Sequence, residues 1–103
     1  MTASDPRGEH ERVAQATLEV ALAAAGSRLT AAGLRAELQP VHREPGEGPF
    51  SSEVSALLWV GGNVAECLVY PAWSYGAPVA VEEIDRLIQE DLEELLPRYT
   101  PES

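Results

Sequence analysis

The sequence predicts an α+β fold: a two-layer sandwich in the order α-β-β-β-α, with a three-stranded antiparallel meander and two helices packed on one face. Three observations predict it. Glu53 to Val60 and Val64 to Trp73 are runs rich in Val, Leu and aromatic residues, separated by Gly61-Gly62-Asn63, whose residues accept positive φ and so signal a hairpin. Glu9 to Ala32 repeats apolar residues at helical spacing, and Val81 to Leu96 does so again opposite an acidic side. At 103 residues, 1–103 form one domain with a single core.

Taken in order, residues 1–7 are polar and read as a frayed terminus, with Asp5-Pro6 suited to cap a helix and open its first turn. The first helix follows Ala14, Leu18, Leu22, Ala25, Leu29 and Ala32, with Val13, Thr17, Val20 and Ala21 widening the stripe. Its register runs through Gly26-Ser27, which predicts one continuous helix with a weak point there, ended by Gly33 in a left-handed conformation. Leu34 to Arg43 alternates apolar and polar residues as a half-buried strand, and Pro40 places it at an edge. Residues 44–52 form a mobile acidic Gly/Pro loop.

A two-residue Gly62-Asn63 turn pairs Val60 with Ala65, Leu58 with Cys67 and Ala56 with Val69 on one face. Trp59 then meets Glu66, Leu57 meets Leu68 and Ser55 meets Tyr70 on the other. The first face, with Leu34, Ala36, Leu38 and Val54, is the one the helices cover. Ser74 to Pro78 breaks the last strand and crosses to the second helix. Ile84, Leu87, Ile88, Leu92, Leu95, Leu96 and Tyr99 make the stripe of that helix, Glu82 and Glu83 favour its first turn, and Pro97 stops it.

Helix, three strands, helix is also the element order of double-stranded-RNA-binding domains and part of that of small secretion chaperones. The likeness is one of topology, and the charge opposes the first. Net charge is −10, all seven basic residues are Arg, and Glu supplies 14 of the 17 acidic groups. Such a surface excludes direct nucleic-acid binding, which needs a basic cluster. The 15 alanines and the use of Arg in place of every Lys are a bias of the kind a GC-rich genome produces. No apolar run is long enough for a membrane span, and the start lacks a secretory pattern, so a cytoplasmic protein with no membrane partner is expected.

No motif carries chemistry. Cys67 is expected buried and inert, with only His10 and His42 as imidazole partners, neither placed to activate it. Two His and one Cys give no metal-ligand spacing, Gly61-Gly62-Asn63 is too short to cradle a phosphate, and no cofactor is expected. The chain is therefore read as a non-enzymatic binding module. The aromatic sheet face, Leu57, Trp59, Leu68, Tyr70 and Trp73 with Glu66 as polar anchor, is the candidate interface, because contiguous patches of this kind mark binding surfaces. Glu82, Glu90, Glu93 and Glu94 on the last helix form a secondary acidic surface suited to a basic protein partner. In charge and size the chain resembles immunity proteins and antitoxins that block basic toxins. An immunity-type inhibitor or chaperone-like adaptor is the first functional expectation; a structural homodimer through the aromatic face, with no separate ligand, is the second.

Overall fold

The computed structural model describes residues 6–41 and 52–100. The elements run α1 (Pro6–Ala31), β1 (Ala36–Val41), β2 (Ser52–Val60), β3 (Val64–Ser74), β4 (Ala77–Pro78) and α2 (Val81–Tyr99). The four strands form one antiparallel sheet in the order β1-β2-β3-β4. Both helices pack on one side of it, α1 over β1 and β2 and α2 beside it over β3, so the expected α+β layering holds. The expected terminal fraying and mobile acidic loop lie outside the described residues, except that Pro6 and Arg7 are already helical and Ser52 already opens β2.

Helix α1 is continuous through Gly26-Ser27. Gly26 sits where the helix crosses β1, with the Cβ position there 3.7 Å from the Ala36 Cβ. Ala14, Leu18, Ala21, Leu22, Ala25 and Leu29 are buried. Val13 and Val20, expected to widen the buried stripe, are exposed, Val20 by 71%. The helix closes as a Schellman motif: Gly33 at φ 91° donates to the Thr30 carbonyl and Leu34 donates to the Leu29 carbonyl.

Edge strand β1 accommodates Pro40 without loss of a ladder bond. The Arg35 carbonyl accepts from the Gly61 N–H at 2.6 Å. Bonding alternates along an antiparallel strand, so Glu37, Gln39 and Val41 face β2 while Ala36, Leu38 and Pro40 face the outer edge. The missing N–H of Pro40 thus blunts the edge against unwanted pairing.

The central hairpin differs from expectation by one residue. Val60 pairs with Val64, Leu58 with Glu66, Ala56 with Leu68 and Val54 with Tyr70, leaving a three-residue loop, Gly61 to Asn63. Both glycines of that loop take positive φ, 70° and 88°. A one-residue slip turns every β3 side chain to the other face. Glu66, Leu68, Tyr70 and Ala72 therefore face the helices, while Ala65, Cys67 and Val69 face away. The physical reason is area: Leu68 and Tyr70 remove more apolar surface from water than Cys67 and Val69 would.

Two further differences follow from local chemistry. Segment 74–78 is a tight hairpin rather than a crossover: Tyr75 (φ 52°) and Gly76 (φ 79°) turn the chain back so that Trp73 pairs with Pro78 and Ser74 with Ala77. Helix α2 also continues past Pro97 to Tyr99. Proline costs one backbone bond there, but the last turn brings Tyr99 against the core and closes with Thr100 donating backbone and hydroxyl bonds to the Leu96 carbonyl.

Candidate functional site

Helix-free, the outer face of the sheet is ordered in three cross-strand rows: Glu37–Trp59–Ala65, Gln39–Leu57–Cys67 and Val41–Ser55–Val69. One of these nine side chains, Glu37, is charged. Leu57 and Trp59 are half-buried by their neighbours, Cys67 is exposed, and Val69 is 40% exposed. Ser55, small and set between two valines, is 3% exposed. The Trp59 indole N–H donates to Gln39 Oε1 at 2.9 Å, which lays the ring across the sheet. Beside it Arg35, Glu37, Gln39, Pro40 and Gly62 border a shallow hollow of about 420 Å³. Hydrogen-bonded pairing with β1 at Trp59 and Leu57 leaves these two positions as non-hydrogen-bonded partners of Ala65 and Cys67, where side chains stand closest.

Of the expected interface residues, only Leu57 and Trp59 stand on this face. Leu68 and Tyr70 are core. Tyr70 Oη donates to Asp91 Oδ2 of α2 at 2.6 Å, and burial together with that carboxylate holds the phenol well above its usual range. Glu66 lies in the inner row Leu38–Leu58–Glu66 and accepts a hydrogen bond from the Tyr99 hydroxyl, which raises the Tyr99 phenol as well. Trp73 is also drawn to the helix side. A register shift between Ser52 and Glu53 leaves Ala72 as the extra residue, and the Trp73 ring meets His10 of α1 edge-on at 6.1 Å. That imidazole is anchored in turn to the Val79 carbonyl at 2.6 Å.

The surface residues that sequence reasoning missed are Gln39, Val41, Ala65, Cys67 and Val69. A three-residue loop closing Val60 against Val64 is the reading that exposes Ala65, Cys67 and Val69, and a Gly-Gly-Asn cluster permits it as readily as the two-residue turn; Gln39 and Val41 reach this face through the pairing of β1 with β2.

Glu82, Glu90, Glu93 and Glu94 are exposed on α2, in the helical layer. Arg86 reaches both Glu83 and Glu90 and neutralises part of that surface. Exposed pairs of this kind add little stability. The acidic helix and the apolar sheet face therefore belong to opposite layers, and one flat partner surface cannot cover both.

No family profile, curated protein or solved structure matches the chain. Its chemistry rests on the residues alone. Cys67 and His10 stand on opposite sides of the sheet, so they form no nucleophile–base pair. Among the described residues no group of three or more His, Cys, Asp or Glu side chains is gathered to hold a metal ion, and no helix is long and apolar enough to cross a membrane.

Proposed function

We propose that this chain is a protein-binding module, an inhibitor or adaptor in kind, that docks through the helix-free face of its sheet. The observation that carries the reading is the three-row patch around Leu57 and Trp59, uncovered by either helix and bearing one charge in a chain of net charge −10. Apolar patches with an aromatic centre favour docking because covering them releases water, while aromatic side chains lose little rotamer freedom. The acidic face of α2 acts at longer range, drawing a basic partner through the field of the whole chain.

Photo-crosslinking tests this assignment. A benzophenone amino acid at position 57 is expected to give discrete protein adducts in the source cell, and the same group at position 93 few or none. Adducts from position 93 with none from position 57 would overturn the assignment and move the docking surface to α2.

A further inference from the structure

Strand β1 is the terminal strand of the sheet, and helix α1 leaves a groove along its open side. Bonding alternates in an antiparallel pair, and the Arg35 carbonyl already accepts from Gly61, so the N–H and carbonyl groups of Ala36 and Leu38 point away from β2. No neighbouring strand meets them. On the helix side the side chains of Ala36 and Leu38 are only half-buried. The groove beside them, about 360 Å³, is walled on its far side by Ala23, Gly26, Ser27 and Thr30 of α1. Both hydroxyls of that wall donate back into the helix, Ser27 to the Ala23 carbonyl at 3.1 Å and Thr30 to the Gly26 carbonyl at 2.9 Å. An apolar guest therefore strands no hydroxyl donor there. The opposite edge of the sheet differs: where β4 does not cover β3, the helix-side residues Leu68 and Tyr70 are already buried.

Unpaired donors and acceptors alternating along a strand are matched by an extended polypeptide backbone. Main-chain bonds then supply affinity, and a flanking groove reads alternate side chains. Charge specifies the residues between. Glu37 lies between Ala36 and Leu38, points to the opposite face, is exposed, and forms no ion pair among the described residues. A cationic side chain directly across from it is favoured as a cross-strand pair, and the net charge of −10 draws a basic segment from a distance.

We infer that the α1–β1 groove is a peptide site, which takes an extended segment of a partner protein as a fifth strand antiparallel to β1. The guest sets aliphatic side chains opposite Ala36 and Leu38, where they enter the groove, and a Lys or Arg between them opposite Glu37. Pro40 offers a carbonyl and no N–H at the next outward position, so it ends the ladder and keeps the guest short. The site is separate from the docking face around Leu57, and its test does not depend on that reading.

The probe is the peptide acetyl-Val-Lys-Val-Lys-Val-amide, titrated into the full chain and followed by fluorescence anisotropy and by amide hydrogen exchange. Saturable binding is expected, with the Ala36 and Leu38 amides exchanging fast in the free chain and protected in the complex. N-methylation of the central valine, whose N–H faces β1, is expected to weaken binding at least about tenfold, and N-methylation of a lysine to change it little. Ser27→Phe, which fills the groove from an exposed position, is expected to weaken binding by a similar factor while keeping a cooperative urea transition. Glu37→Lys is expected to reverse the preference, toward acetyl-Val-Glu-Val-Glu-Val-amide.

No saturable binding up to millimolar peptide overturns the inference, as does binding indifferent to which amide is methylated. Protection of the Ala65, Cys67 and Val69 amides in place of Ala36 and Leu38 would move the added strand to the β3 edge and overturn it too. Ala36 and Leu38 amides already slow to exchange in the free chain would show the edge paired with another copy, with no peptide site left.

Discussion

Tyr70 on β3 donates a hydrogen bond to Asp91 on α2 at 2.6 Å, and Tyr99 on α2 returns one to Glu66 on β3. Each element contributes one phenol and one carboxylate, so strand and helix are tied at two points along their length. The ties explain why two residues with the look of an interface, Tyr70 and Glu66, are committed to the interior of the sandwich. They also give the fold a dependence on alkaline pH.

Both phenols are held above their ordinary range, Tyr70 by burial first and by the Asp91 carboxylate next, and Tyr99 first by its bond to Glu66. An unfolded tyrosine titrates near pH 10. The folded chain therefore retains protons that the unfolded chain releases above that pH, and stability falls as pH rises past it. Below pH 10 the contribution is fully present. Tyr70→Phe is expected to cost about 1–2 kcal/mol at neutral pH and to flatten the alkaline loss, as read by urea unfolding between pH 8 and pH 12. An unchanged alkaline slope would show that the Tyr70–Asp91 tie contributes nothing.

Gly26→Ala should stabilise the protein by about 0.5–1 kcal/mol. The added Cβ meets Ala36 at an ordinary contact distance, and α1 gains helix propensity. Gly33→Ala should lose at least about 1 kcal/mol because φ 91° strains any side chain with a Cβ. Thermal unfolding of the two variants is expected to move in opposite directions. A drop in Tm for Gly26→Ala would mean that α1 cannot keep its distance from β1.

Tyr75 is held at φ 52° while its side chain is 91% exposed, so the strain of that conformation is offset by little burial. Tyr75→Asn is expected to raise stability by about 1 kcal/mol, because asparagine followed by glycine is the favoured pair for such a turn. Urea midpoints compared at constant m-value test this. A destabilised variant would imply that the tyrosine ring makes contacts its exposure conceals.

Ala80 precedes helix α2 at the N-cap position, with φ −58° and ψ 137°, and its side chain supplies no cap. Ala80→Ser should add about 1 kcal/mol by accepting a hydrogen bond from the first turn, with Glu83 three residues on to complete a capping box. For a domain of this size that corresponds to a Tm rise of about 4–8 °C. A neutral result would place the first-turn N–H groups already in satisfactory company with water.

Two helices, three of the four strands and the layer that holds both helices are legible in the chain, because period and punctuation are local properties; β4 is not, since a two-residue strand has no period of its own. Leu18, Leu22 and Leu29 on one helix, with Ile84, Ile88 and Leu92 on the other, could face only a common core. Gly33 could end α1 because glycine alone takes that conformation without strain. The register across Gly61-Gly62-Asn63 was not local. Two loop lengths fit those three residues, and they assign opposite faces to every side chain of β3. Packing chooses between them, by burying Leu68 and Tyr70 on the helix side and leaving Cys67 and Val69 outside. Continuation through Pro97 was settled in the same way, since one lost backbone bond is outweighed when Tyr99 reaches the core and Glu66. What separates the two kinds of feature is competition: where a residue has one low-energy option the chain alone specifies it, and where it has two, packing chooses.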